Sequence, residues 1–162
     1  MAETLSVTDM LPNKFEPKRK YRWVLAIEGI DAFLLKSASR PSVSIGETEI
    51  PFLNSRRYIA GKHSFEAMSV TLHDPIAPSA AQQVMEWIRT HSESVSGRAG
   101  YADFYKRDIQ LKMLDPVGTV VELWDIKGAF LTSANFGDLD YGTEDPTDIS
   151  LTIRFDNCVL QY

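Results

Sequence analysis

Three histidines, one cysteine and a cluster of carboxylates are the residues of this 162-residue chain whose types could bind a metal or move a proton. His63, His73 and His91 share no metal-ligand spacing with one another or with Cys158, and each falls in a different expected element, so they read as structural or surface residues. The densest carboxylates are Asp138, Asp140, Glu144, Asp145 and Asp148. Asp138-x-Asp140-x-Gly142-x-Glu144 could present oxygens to a calcium ion. It departs from the twelve-residue calcium loop in its glycine placement and in the missing closing Glu, since position 149 is Ile149. The expectation is a surface loop, or one that faces a basic patch on a neighbouring subunit. Gly61, Lys62, His63 and Ser64 end like a phosphate loop, but Arg56 stands where the first Gly belongs and His63 follows the lysine. With no Gly-x-Ser-x-Gly elbow either, the chain is expected to be no enzyme and to hold no metal or cofactor.

The elements around these residues are mostly strands. Period-two alternation marks 21–28, with Tyr21, Trp23, Leu25 and Ile27 on one face, and a second strand runs over 33–39. The pair reads as a hairpin. From Arg40 to Phe65, Pro41, Gly46, Pro51 and Gly61 interrupt two extended pieces, 42–50 and 52–59, too polar for a core. They predict a projecting two-stranded flap whose Phe52, Leu53, Tyr58 and Ile59 need another surface to cover them. Another strand spans 65–73. One amphipathic helix follows over 79–91, capped by Ser79, with Ala80, Val84, Trp87, Ile88 and His91 near one stripe. Residues 92–100 read as a flexible loop. Strands over 105–114 and 119–131 are joined by a turn at Asp115 to Gly118, and a last strand covers 148–159. The sum is a mainly β fold, an antiparallel sandwich or barrel with one helix, a long projecting hairpin and an exposed edge. Residues 1–14 read as a mobile arm and 15–162 as a single domain.

Composition narrows the function. With 44% hydrophobic and 24% charged residues the chain is globular. A net charge of -5 argues against gripping nucleic acid, and the basic group Lys14, Lys18, Arg19, Lys20 and Arg22 reads as a solvated face. A negative wall would still let DNA pass without holding it. The single Cys158 can form no internal disulfide and suits a small buried residue in a chain made in a reducing compartment. No apolar run is long enough to span a bilayer and the N-terminus has no secretory pattern, so the chain is expected to stay in the cytoplasm when made, without membrane insertion.

The order of these elements resembles the tail tube proteins of contractile-tailed bacteriophages, the T-even type, relatives of the inner-tube proteins of type VI secretion and contractile bacteriocins. The likeness covers 15–162. It rests on YRWVLAIEGI with the following FLLKSASRPSVSI, on the flap IPFLNSRRYIAGKHSFEAMSVTLHD, on the helix AAQQVMEWI, on YKRDIQLKMLDPVGTVVELWDIKGAF, and on the closing LDYGTEDPTDISLTIRFDN.

The resemblance implies a structural virion protein. Six subunits would join their sheets into one β-barrel ring, and rings would stack into a tube inside a sheath and conduct the genome into the host. Implied partners are the chain itself, the tail sheath protein, baseplate and tail terminator proteins, and, in the lumen, the tape measure protein and DNA bound without sequence preference. The implied location is the virion tail, after assembly in host cytoplasm. Arg56, Arg57 and Tyr58 on the flap are the first candidates for inter-subunit contacts. Asp138, Asp140, Glu144 and Asp145 are the second, as partners for such arginines. The alternatives are a baseplate tube initiator or tail terminator, an inner tube of a secretion or bacteriocin particle, or an enzyme or ligand-binding β domain with an unrecognised site. End pieces of the family often carry extra segments, and a chain of this size favours the repeated subunit.

Overall fold

The computed structural model describes Ser6 and residues 14–162; the arm expected over 1–14 lies, apart from Ser6 and Lys14, outside the described residues. Nine strands follow in chain order: β1 (Trp23–Ile27), β2 (Leu35–Ala38), β3 (Val43–Phe52), β4 (Ser55–Phe65), β5 (Met68–His73), β6 (Arg107–Leu114), β7 (Val120–Asn135), β8 (Asp148–Arg154) and β9 (Asn157–Leu160). Helix α1 (Ala80–His91) and the single turn α2 (Ala102–Tyr105) sit between β5 and β6. The pairing is antiparallel throughout, as the alternating patterns predict.

Strand β7 organises the fold. Its first part pairs with β6 on one side and β9 on the other, and its last part pairs with β8, from Phe130↔Arg154 to Asn135↔Ser150. The sheet order is β1-β6-β7-β8-β5-β2. The change of partner falls at Gly128, whose φ of +68° is open to glycine and strained for other residues. There the Asp156 amide donates to the Lys127 carbonyl at 3.0 Å, between β8 and β9. The expected last strand is therefore two strands with a corner at Phe155 and Asp156. The corner lets one chain segment pair along most of β7 while the sheet bends.

The bend brings two alternating faces together. Leu25, Ile27, Ile109, Leu111 and Ile126 from one half and Met68, Val70, Leu72, Ile149, Leu151 and Ile153 from the other are all buried in a single cluster. Each fully buried aliphatic side chain stabilises the fold by about 1.5–3 kcal/mol. Helix α1 packs on this core through Ala80, Val84 and Trp87, while His91 stays exposed and its ring meets Tyr105 edge-on at 4.4 Å. The Ser79 hydroxyl accepts from the Gln82 amide at 3.5 Å, the cap expected of a serine in that place.

Two local expectations change, the pairing of the first two strands and the start of β6. β1 and β2 do not form a hairpin: a 3-10 turn over Ala32–Leu34, anchored by buried Leu34, carries the chain from one half of the sheet to the other, so β1 pairs with β6 and β2 with β5. Among the described residues β1, β2 and β9 are each bonded to a strand on one side only, which leaves three open backbone edges. Residues 92–100 are closed by their own bonds, Glu93 amide to Arg98 carbonyl at 3.0 Å and Gly97 amide to Glu93 carbonyl at 2.8 Å. Strand β6 begins only at Arg107, because the Lys106 amide donates to Ala102 to end α2 and the Tyr105 carbonyl accepts from Trp87 Nε1 at 2.7 Å.

Candidate assembly surface

The expected flap is present as the two-stranded β3–β4 ribbon, with every residue of 43–64 exposed. A lone ribbon of this kind has little stability in water, and its apolar side chains need covering. Register sorts those side chains. Thr48↔Ile59, Ile50↔Arg57 and Phe52↔Ser55 share one face, while Glu47↔Ala60, Glu49↔Tyr58 and Pro51↔Arg56 share the other. The ribbon is therefore amphipathic, with Ile50, Phe52 and Ile59 on its apolar side. Near its base the register shifts between Ile45 and Glu47, where Gly61 lies close to Gly46: a Cβ on Gly61 would sit 3.2 Å from the Gly46 carbonyl oxygen. The three residues singled out in sequence are thereby divided. Arg57 lies on the apolar face, whereas Arg56 and Tyr58 lie opposite it, with Arg56 Nε 3.1 Å from Glu49 Oε1.

The acidic loop, residues 136–147, joins β7 to β8. Asp138, Asp140, Glu144 and Asp145 are all exposed, as are Leu139 and Tyr141. Asp140 Oδ1 accepts from the Gly142 amide at 2.9 Å, which shapes the turn. Among the described residues the four carboxylates form no ion pair, and no group of three or more His, Cys, Asp or Glu is placed to hold a metal ion. Their neighbour Asp148, at the start of β8, is engaged: Lys36 Nζ lies 2.5 Å from Oδ2, and His73 Nδ1 lies 3.7 Å from Oδ1.

Ribbon and loop leave opposite ends of β5. The ribbon ends just before Met68, which faces Ile153, whereas the loop ends at Asp148, which faces His73. The structure does not bring the two sequence-predicted groups together within one chain.

A third feature was missed in sequence. Glu122 is the one buried charged residue among those described, 3% exposed, on the inward face of β7 with Trp124 and Ile126. It accepts from Lys18 Nζ, from Trp124 Nε1 and, at 3.3 Å, from Arg40. Burial pushes its carboxyl up, but hydrogen bonds from Lys18 and Trp124, the Lys18 charge and Arg40 outweigh that and hold it below the usual carboxylate range. Lys18 precedes β1 and Arg40 lies between β2 and the ribbon. One buried acid therefore pins both segments to the sheet. The signal was available: Glu122 occupies the same period-two face as Trp124 and Ile126. Beside this clamp opens a cavity of about 450 Å³, with Arg19 and Lys20 at its rim and Trp23, Leu111 and Met113 among its walls.

The remaining candidates have separate surroundings. His63 meets Phe65 edge-on at 5.6 Å between ring centres, whereas His73 faces Asp148 and His91 meets Tyr105. Cys158, half-buried on β9, has its thiol pushed up to about 11 by burial and then by the Asp125 charge, which makes it a poor nucleophile. No helix among the described residues is long and apolar enough to cross a membrane.

No family model matches the chain. It is similar to the tail tube protein of Serratia phage KSP90, with 24% identity over 151 residues that span 85% of each protein. Among solved structures it is similar to a chain of the anti-feeding prophage tube-terminating cap, with a TM-score of 0.75 and 18% identity over 97% of this chain and 99% of that one. It is also similar to a chain of the sheath-tube complex of an extracellular contractile injection system, PVC, in its extended state, with a TM-score of 0.68 and 18% identity over 98% and 99%. The mainly antiparallel β fold read from the sequence is the fold of these proteins.

Proposed function

We propose that the chain is a tail tube subunit of a contractile phage tail, assembling as hexameric rings that stack into a conduit for DNA. The observation that carries this reading is the fully exposed amphipathic ribbon on a domain that has three further open strand edges among its described residues. Such edges are templates for pairing with another chain, and a closed ring of subunits would consume them. The apolar face of the ribbon, with Ile50, Phe52 and Ile59, would be covered by a neighbouring subunit, and Arg56, Arg57 and Tyr58 would contact that neighbour. Asp138, Asp140, Glu144 and Asp145 would lie at a subunit contact as well. The likeness to a phage tail tube protein and to contractile-system tube components supports the same role. Tail sheath, baseplate and terminator proteins would then be partners outside and at the ends of the tube. Tape measure protein and DNA would occupy the lumen, where a net charge of -5 per subunit lets phosphate slide by without being gripped.

Electron microscopy of the purified protein tests this directly, with rings or long hollow tubes expected. Protein that stays monomeric at high concentration and forms no tubes on an initiating baseplate would refute it. Arg56→Glu with Arg57→Glu should leave the fold intact and block polymerisation; normal tubes from that variant would remove the arginines from the interface. The likeness to a tube-terminating cap favours an end piece as the second reading. An end piece would stop at single rings where a tube subunit grows long tubes.

A further inference from the structure

We propose that the acidic loop of one copy, residues 136–147, docks into the basic cavity beside Glu122 of a second copy. The inference rests on the tube-subunit reading and assigns a contact within it. Charge is the first argument. The loop carries Asp138, Asp140, Glu144 and Asp145 and no Lys or Arg, a net charge of -4. Around the cavity stand Lys18, Arg19, Lys20 and Arg40 with Glu122 as their acidic neighbour, so 4 - 1 leaves +3. Lys18 and Arg40 are held by Glu122, while Arg19 and Lys20 form no ion pair among the described residues.

The apolar parts match too. Between its carboxylates the loop exposes Leu139 and Tyr141, and the cavity presents half-buried Trp23 in front of the buried Leu111 and Met113. An interface with an apolar centre and a charged rim has this composition. The ribbon arginines are the weaker partner for the loop: Glu47 and Glu49 offset Arg56, Arg57 and Lys62 to a net of +1, and Arg56 is already paired with Glu49.

Within one copy no residue of the loop lines the cavity. Glu122 lies near the start of β7 and the loop follows its end at Asn135. The thirteen steps between them span at most roughly 40 Å at about 3.3 Å per residue, and the bend at Gly128 shortens that reach. On the other half of the sheet the cavity residue Ala38 pairs with Val70, towards the start of β5, and the loop ends beside His73. Cavity and loop are thus different surfaces set about three residues, roughly 10 Å, apart along β5, and a contact between the two on separate copies is head-to-tail. A contact of this class repeats from copy to copy instead of closing as a twofold dimer.

The test is a charge exchange in the full chain. Arg19→Glu with Lys20→Glu alters the cavity rim without touching the Glu122 clamp, and Asp138→Lys with Asp140→Lys alters the loop. Each pair should raise the concentration needed for tube formation by roughly tenfold or more, read by pelleting and electron microscopy. All four changes together should restore assembly. The neutral versions, Arg19→Ala with Lys20→Ala and Asp138→Asn with Asp140→Asn, should show the same direction with smaller size, and circular dichroism should report a native fold for each. Wild-type protein that never assembles would refute the tube reading itself. Wild-type tubes alongside unimpaired single-side variants would overturn this docking alone. Impaired cavity variants that the exchange fails to rescue would also overturn it, and would mean that a different segment fills the cavity.

Discussion

Replacing Glu122 by Gln isolates the charge of the buried clamp, because the amide keeps the size of the side chain and an oxygen for Trp124 Nε1. What is lost is attraction to Lys18 and Arg40, whose side chains are 51% and 58% exposed. A hydrogen bond to a charged group contributes about 1.5–3 kcal/mol when buried, and exposed pairs about 0–1. Two half-exposed cations on one buried acid therefore lose about 1–2 kcal/mol together, after allowing for the easier burial of an amide. For a domain of this size that is a fall in Tm of about 2–8 °C, measured at a concentration where the protein is monomeric. The pH dependence gives a second readout. Glu122 is held below its usual value of 4.5, so its contribution is full above that pH and is lost as pH falls through the folded-state value. Wild type and Glu122→Gln should accordingly differ at neutral pH and converge in acid. A variant as stable as wild type at pH 7, with the same acid limb, would show that burying the carboxylate costs as much as its partners return.

Three further substitutions and one reaction follow from local geometry. Gly100→Ala should cost more than about 2 kcal/mol, because its Cβ would lie 2.1 Å from the Thr90 carbonyl oxygen, a backbone atom held in the last turn of α1. Gly128→Ala should cost about 1–2 kcal/mol: the clash is with the Asp156 carboxylate, which can swing outward, and the positive φ remains. Denaturant unfolding of the pair should rank them in that order. Trp87→Phe removes the donor to Tyr105 and shrinks the aromatic face that receives Arg107 at 4.8 Å, and should lower stability by about 2–3 kcal/mol, with hydrogen exchange rising first in α1. Cys158, at about 11, should be ionised on the order of a thousandth at pH 8 and react with a thiol reagent far more slowly in the native protein than after unfolding.

Alternation made most of the fold legible. Ile149, Leu151 and Ile153 point inward on β8 as their spacing requires, and Ala80, Val84 and Trp87 place α1 on the core. Strand partners were harder, since the short link between β1 and β2 has the spacing of a hairpin and yet its Leu34 is drawn into the core, which sends β2 to the other half of the sheet. The corner between β8 and β9 was hidden for a related reason. Phe155 continues the inward alternation across it, and nothing local shows that the partner segment of β7 has bent at Gly128.

The candidate site divides along the same line. An exposed apolar ribbon announces itself in sequence, because Phe52, Leu53 and Ile59 stand between prolines and glycines with no room for a core. Glu122 does not, because a lone acid in a strand is ordinary until its partners are known, and those lie 104 and 82 residues away at Lys18 and Arg40. Yet the same buried acid fixes where the basic residues before β1 can be. By holding Lys18 against the sheet it sets Arg19 and Lys20 at the cavity rim, so a cluster that reads as a freely solvated face becomes a positioned one. If that positioning serves assembly, Glu122→Gln should weaken tube formation beyond what its loss of stability explains. Trp87→Phe, at least as destabilising but absent from the cavity's lining, should not. Equal assembly by the two variants at matched stability would leave the clamp with a folding role alone.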